Sequence, residues 1–339
     1  MPKSVLDEPR FRNEDAAYAF VEGIVWENGR FCPHCGVVGK SGALKGKSTR
    51  IGTYKCYACR KPFTVKVGTI FEKSHVPMHI WLQAMHLICS SKKGFSANQF
   101  CRVLGVDFKT GWFIGHRIRE AMKDDGSSGP LGGEGKIVEV DETYFGRKEG
   151  EGPDKYRVMF DNERGWYYER ADRTRPKIPL ITLVERGGKA RTIKSENITA
   201  RTLRNAVLAN AKTESELMTD ELRAYRNIGK QFASHDTVTH SEKEYVRYEK
   251  TEDGKRRVIT TNTVEGYYSI FKRGMVGIYQ HCTERHLHRY AAEFDFRYNT
   301  RTALGFDDEQ RTEQAIRGII GKRLTYRTTR REAAEAGPA

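Results

Sequence analysis

"KIVEVDETYFG", residues 136–146, sets a carboxylate, Asp141, in the middle of a β-rich run that closes on Gly146. Residues 214–229, "ESELMTDELRAYRNIG", have a related form: a strand ending on Asp220 that turns straight into a helix. Between them, "IPLITLVERGGKARTIKS" (178–195) reads as two short strands about Gly187 and Gly188, and "NITARTLRNAVLANA" (197–211) as an amphipathic helix. Strand, strand, strand, helix, strand, helix is the order of an α/β domain. In open α/β sheets sites gather beyond the carboxyl ends of strands, which is where Asp220 falls.

A third element, "TTNTVEGYYSIFKRGMVGIY" (260–279), places Glu265 in the first turn of a helix. Asn262 and Glu265 have capping-box spacing, so Glu265 is read either as a backbone cap or as a third metal-binding carboxylate. Lys272 lies two helical turns further along the same face, where it can approach the same anion. Periodicity does not prefer Asp141 over Glu142. Glu139, Glu221, Glu293 and Asp295 are further acidic residues with no assigned role, and His235 and His240 in "SHDTVTHS" read as ordinary polar residues.

Upstream of this domain, "DDGSSGPLGGEGK" (124–136) is dense in Gly, Ser and Pro, as a linker is. Three helices precede it. "PMHIWLQAMHLICSSKKG" (77–94) opens on Pro77 and stops at Gly94. In "SANQFCRVLGV" (96–106), Ser96 and Gln99 stand in capping-box relation, and Asp107 can cap the third helix, "FKTGWFIGHRIREAM" (108–122). Two short helices joined by a Gly-containing turn suit a helix-turn-helix, with Lys109, Thr110, Arg117 and Arg119 of the second as candidate DNA contacts. The competing reading is a plain three-helix bundle.

Nearer the start stand two Cys-x-x-Cys knuckles, "FCPHCG" (31–36) and "YKCYACRKPF" (54–63). Disulfides, a redox dithiol and one metal site all fit a pair of such motifs. Seven cysteines is an odd number, no secretory leader is read at the start, and no thioredoxin-like βαβ pattern surrounds either pair. Four thiolates closing a tetrahedron around a structural Zn²⁺ fit best, with Cys32, Cys35, Cys56 and Cys59 as ligands and His34 a bystander. The Gly-, Ser- and Lys-rich spacer reads as a hairpin. Cys89, Cys101 and Cys282 read as small buried hydrophobes.

Across 339 residues, 59 basic against 44 acidic side chains give a formal charge of +15, which favours a polyanion, foremost nucleic acid. No stretch is apolar enough to span a bilayer, so the expectation is a cytoplasmic protein without membrane contact.

Taken together, "VDETYFGRK", "LVERGGKAR", "MTDELRAYR" and "NTVEGYYSIFKRGMVGIY…HLHRYAAEFDFRYNTR" behind a four-cysteine ribbon resemble the zinc-ribbon DDE transposases of bacterial insertion sequences, over about residues 15–305. The resemblance implies a multidomain chain: an N-terminal zinc ribbon with a helix-turn-helix-like helical module, then an α/β RNase H-like catalytic domain. It puts the acidic triad on Asp141, Asp220 and Glu265, with Lys272 the accompanying basic residue; Lys272 and Arg273 join the candidate DNA contacts. Three carboxylates can hold two Mg²⁺ (or Mn²⁺) about 4 Å apart, one activating the attacking oxygen and one stabilising the leaving oxygen of a phosphodiester. Partners follow: double-stranded DNA at element ends and target, and a second copy of the chain in a homodimer or larger assembly, in a bacterial nucleoid.

The expected organisation is a helical segment to residue 30, the ribbon at 31–73, the helix-turn-helix-like module at 74–123, a linker at 124–135, the catalytic domain at 136–305 and a basic C-terminal segment at 306–339. A charged insertion at about 147–177 inherits no role from the resemblance, and the last fifteen or so residues read as a frayed tail. Two other functions compete: a non-catalytic ribbon and helix-turn-helix regulator, and a nuclease of the same fold.

Overall fold

The computed structural model describes residues 4–148, 156–170, 176–250, 254 and 256–325. They form two compact units, one built from the chain up to residue 124 together with the chain from 300 onward, the other from residues 125–299.

The first unit opens with α1 (Pro9–Arg12) and α2 (Glu14–Val25). The ribbon follows as β1 (Ser41–Ala43), β2 (Tyr54–Cys56) and β3 (Pro62–Phe63), an antiparallel sheet in the order β1-β2-β3 whose first hairpin is the Gly- and Lys-rich spacer. Its small core gathers Cys32, Cys56 and Phe63 with Trp26 and Tyr54. Next come α3 (Met78–Ser90), α4 (Ala97–Leu104) and α5 (Phe108–Met122). Ser96 and Gln99 close a reciprocal capping box on α4, Gly105 takes the left-handed conformation that ends it, and Asp107 caps α5 through the Thr110 N–H at 2.9 Å. The α3 N-terminus is capped from a distance: Glu14 of α2 accepts from the Met78 N–H (2.8 Å) and sits 2.7 Å from the His79 ring. Trp81 and Phe100 are buried, and Trp112 and Phe113 are half-buried.

In the second unit the strands are β4 (Ile137–Phe145), β5 (Tyr156–Asp161), β6 (Gly165–Arg170), β7 (Ile178–Glu185) and β8 (Ala190–Lys194). After α6 (Ala200–Asn210) come β9 (Glu216–Thr219), α7 (Tyr225–Gly229), β10 (Ser234–Thr237), β11 (Val246–Lys250) and β12 (Arg256–Thr260). Two helices close it, α8 (Asn262–Gly274), extended by a π turn at Met275–Tyr279, and α9 (Glu284–Asn299).

One five-stranded sheet organises this unit in the order β10-β9-β4-β7-β8. The β4, β7 and β8 strands run antiparallel in succession, whereas β9 and β10 lie parallel on the other side of β4. The mostly apolar β7 is buried on both faces from Ile178 to Val184, with Thr182 its one buried polar side chain. Alternation splits the core: Val138, Val140, Ile181 and Leu183 meet Leu203 and Val207 of α6 and Tyr225 and Ile228 of α7. On the opposite face Leu180 and Val184 meet Val264, Tyr268 and Phe271 of α8 and Leu287 and Phe294 of α9.

Three details differ from the sequence reading. The stretch read as a linker is seated from Leu131 on, because the Leu131 N–H donates to the Asn210 carbonyl (2.8 Å) and its side chain joins the core. Within the charged insertion, β5 and β6 pair as a separate hairpin that exposes Phe160 and Trp166, rings 5.1 Å apart; residues 149–155 and 171–175 of that insertion lie outside the described residues. The C-terminal segment carries a helix, α10 (Asp308–Arg317), that packs on α3 in the first unit, with Arg311 donating to the Cys89 carbonyl at 2.9 Å. The tail beyond residue 325 lies outside the described residues.

Candidate active site

The parallel pairing of β4 and β9 sets Ile137 beside Glu216, Val138 beside Leu217 and Glu139 beside Met218. Carried two residues further, the same offset brings Asp141 level with Asp220, the first residue past β9. Two carboxylates from distant chain positions thus arrive side by side at one sheet edge. Glu142 joins them: Asp141, Glu142 and Asp220 each offer an oxygen, all within 4.8 Å of one another. Successive strand residues face opposite ways, so Asp141 and Glu142 reach this point from the two faces of the sheet. On the Asp141 side the Tyr268 hydroxyl of α8 donates to the Asp141 carbonyl (2.6 Å); on the Glu142 side the Tyr225 hydroxyl of α7 donates to the Glu142 carboxylate.

The electrostatics follow from crowding. Burial, then the charges of Asp220 and Glu265, push Asp141 up to about 6. Burial and the charges of Asp220 and Asp141 push Glu142 up to about 7 against the Tyr225 hydrogen bond. Asp220 is raised as well, again chiefly by burial. Each carboxylate opposes ionisation of the next, and a hard divalent cation relieves that conflict.

Glu265 stands outside the 4.8 Å cluster, close enough for its charge to be felt by Asp141. Its Oε1 accepts from the Thr261 hydroxyl (3.1 Å) and lies 3.4 Å from His240 Nε2. The capping box, one of the two readings of Asn262 and Glu265, does not form. Thr261 is the N-cap residue, Asn262 is the first residue of the helix, and the orphan N–H groups of α8 go elsewhere. They go to Glu139. This carboxylate, fully buried on β4, accepts from the Thr263 N–H (2.8 Å), the Val264 N–H (3.1 Å), the Thr263 hydroxyl (2.7 Å) and the Arg186 guanidinium (2.8 Å). Glu139 therefore pins the start of α8 to the strand that carries Asp141, and Glu265 follows within the same turn.

Of the remaining candidates, Lys272 is exposed on the Glu265–Tyr268 face of α8, its ammonium 5.8 Å from the Tyr268 ring centroid. Arg273 is exposed and donates to the Ser269 carbonyl of its own helix. His235 hydrogen-bonds Thr219 (2.9 Å), whereas His240 stands beside Glu265. Sequence reasoning had left Glu139, Glu142 and His240 without a role; the signal for Glu142 was its place next to Asp141, and nothing local marked the other two.

The first unit supplies the second centre. Cys32, Cys35, Cys56 and Cys59 bring one sulfur each within 4.8 Å of the others, with Cys32–Cys59 and Cys35–Cys56 both at 3.7 Å. His34 bonds the Pro62 carbonyl instead. N–H groups of Cys59 and Ala58 point at Cys56 and hold its thiol down to about 7. Of the other cysteines Cys89 is buried, and Cys101 and Cys282 are half-buried.

On α5, Lys109 is exposed and the Thr110 hydroxyl donates to its own cap, Asp107, at 2.7 Å. Arg117 and Arg119 are corrected: both are buried, at 4% and 3% exposure, and do not present a DNA contact. Arg117 donates to the Ile70 (2.6 Å) and Leu324 (3.1 Å) carbonyls and lies over the Phe113 ring, and burial pushes its pKa down to about 10.

The profile of the ISXO2-like transposase domain matches residues 130–299, the span that holds the whole carboxylate constellation. The chain belongs to this transposase family. A transposase zinc-ribbon domain matches residues 12–62, the span that holds all four cysteines, and with the clustered thiols it supports Zn²⁺ as the ligand of this family member's ribbon. A relative from Halobacterium salinarum, described as an uncharacterized protein in transposable element ISH50, is 28% identical over 270 residues, covering 78% of this chain and 83% of the relative. The transposase domain and the insertion-element relative together support a transposase. Among the described residues no helix is long and apolar enough to cross a membrane.

Proposed function

We propose that this chain is a DDE transposase that binds the ends of an insertion sequence and catalyses metal-dependent DNA cleavage and strand transfer. The observation that carries the reading is the in-register meeting of Asp141 and Asp220 at the sheet edge, with Glu142 inside the same cluster and Glu265 held next to it by α8. The sheet order, three antiparallel strands followed by two parallel ones beside the first, supports an RNase H-like catalytic domain.

The donor set fits Mg²⁺ or Mn²⁺: the clustered ligands are carboxylate oxygens, no thiolate is among them, and their raised pKa values mark a site built against its own charge. Asp141, Asp220 and Glu265 would hold the ions, with Glu142 able to join. When bound, such ions activate an attacking hydroxyl and stabilise the leaving oxygen of a phosphodiester. The chain's own groups do the positioning. Tyr268 fixes the backbone at Asp141, Tyr225 orients Glu142, and Lys272 on the exposed face of α8 offers a cation to the DNA backbone. In the first unit the ribbon and the α4–α5 pair form the end-binding module, with Lys109 and Thr110 at the exposed start of α5. Joining two ends calls for at least two copies, in the cytoplasm of the host.

The test is strand transfer of pre-cut end DNA by purified protein. Asp141→Asn and Asp220→Asn should each abolish cleavage and joining while leaving melting and end binding in place, Glu265→Gln should lose most activity, and a chelator should silence the wild type. Full activity of either Asp→Asn variant overturns the mechanism, and cutting without joining on paired ends assigns a nuclease instead.

A further inference from the structure

The second unit carries a basic groove that the carboxylate site does not use. Between α6 and α7 lies an open cleft of about 810 Å³ lined by Arg201, Arg204, Asn205, Arg223, Asn227 and a floor that includes Ile228. The three arginines are exposed, and none forms an ion pair or side-chain hydrogen bond within the described residues. Three guanidiniums converge on one groove whose lining holds no carboxylate, and so form a field with no internal counter-charge.

Geometry ties the groove to the acidic cluster. Arg223 stands three residues past Asp220, and two residues before Tyr225, whose hydroxyl touches Glu142. Two residues span at most about 7 Å of backbone, so the Arg223 wall of the groove begins next to the reaction centre. Arg201 and Arg204, one turn apart on α6, share a face, and Ala200 brings the positive end of that helix to the same opening. Guanidiniums suit phosphate oxygens by geometry as well as charge. The groove offers little for reading bases: α7 has only five residues, too short to lie along a major groove.

We propose that the α6–α7 groove holds the phosphate backbone of target DNA, sequence-independently, with Arg201, Arg204 and Arg223 as its contacts. The proposal rests on the transposase reading. There the end-recognition surface belongs to the first unit, and the catalytic unit must also hold a second duplex of arbitrary sequence beside its carboxylates. This groove supplies the cationic track for that duplex.

The experiment measures binding of the full chain, without divalent metal, to a random-sequence duplex and to a duplex carrying the element's terminal sequence, across a salt series. Each lost phosphate contact lowers the slope of log affinity against log salt by about 0.9. Replacing all three arginines by alanine should therefore flatten the random-duplex slope by about 2.7, so the affinity lost between 50 and 200 mM salt shrinks roughly 40-fold. A control with Lys212, Arg226 and Lys230 changed to alanine removes equal charge from exposed positions outside the lining. It should flatten the slope by less than half as much. Melts confirm that both variants fold.

An unchanged slope in the groove variant, or an equal loss in the control, overturns the groove. An equal loss on the terminal duplex shows that the groove holds the element end and overturns the assignment to target. If the wild-type chain binds neither duplex, the transposase reading fails; if it binds here and transfers strands once Mg²⁺ is added, while the groove variant keeps its slope, the groove alone fails.

Discussion

Removing the carboxylate of Glu139 is the sharpest test of how the site is assembled. The group is fully buried and serves three donors on α8 and the Arg186 guanidinium at once. Glu139→Ala leaves the Arg186 guanidinium, only 26% exposed, with the Val258 and Thr260 carbonyls but no counter-charge, and returns two N–H groups of the α8 N-terminus to the orphan state. Breaking a buried pair from one side costs about 3–5 kcal/mol, and the cap lies inside that figure because the same oxygens do both jobs. In a unit of this size about 4 kcal/mol moves the melting temperature by roughly 8–16 °C. Glu139→Gln keeps the shape and one acceptor but loses the charge, and should cost about 2 kcal/mol. Calorimetry with urea melts reads both values. Because α8 carries Glu265, strand transfer by Glu139→Gln should fail on warming before the fold does. A melting temperature for Glu139→Ala within two degrees of wild type would refute the claim that Glu139 anchors α8, and with it the account of how Glu265 is brought to Asp141.

Two further outcomes concern the ribbon. Cys56→Ser removes one of four clustered thiolates and should drop bound zinc from about one per chain to near none, unfolding the ribbon while the melt of the second unit stays in place, as metal analysis and calorimetry will show. After the second cysteine of each knuckle the backbone turns left-handed, at Gly36 (φ +74°) and at Arg60 (φ +60°); Arg60→Gly should therefore gain up to about 1 kcal/mol, and Gly36→Ala should lose about as much, both read from the chelator concentration that melts the ribbon.

Much of this was legible locally. The two knuckles, the Ser96–Gln99 capping box, the Asp107 cap and the strand runs around Asp141 and Asp220 are short-range patterns, and short-range patterns survive in a single sequence. Glu139 was not legible, because its partners lie 47 and 124–125 residues away and a lone Glu on a strand resembles any solvated one. Arg117 and Arg119 misled for the same reason: basic residues on a helix read as surface, and the carbonyls that receive Arg117, Ile70 and Leu324, come from remote segments. Asn262 and Glu265 show the converse, a local pattern of capping form, one of two readings left open, that loses to Thr261 and to a buried carboxylate from another strand.

The return of α10 to α3 makes the first unit discontinuous, with all of residues 125–299 inserted into it. During synthesis the helices at the start of the chain therefore wait for a partner that emerges after the whole second unit has been made, since Arg311 must reach the Cys89 carbonyl and Arg10 must reach Glu309. The second unit, with its carboxylate cluster, can finish folding first, and the first unit, with the ribbon, finishes last. A message cut short between codons 299 and 308 yields the whole second unit, with Asp141, Glu142 and Asp220 able to meet, but a first unit that lacks α10, so such a product carries one finished half and one unfinished half by topology alone.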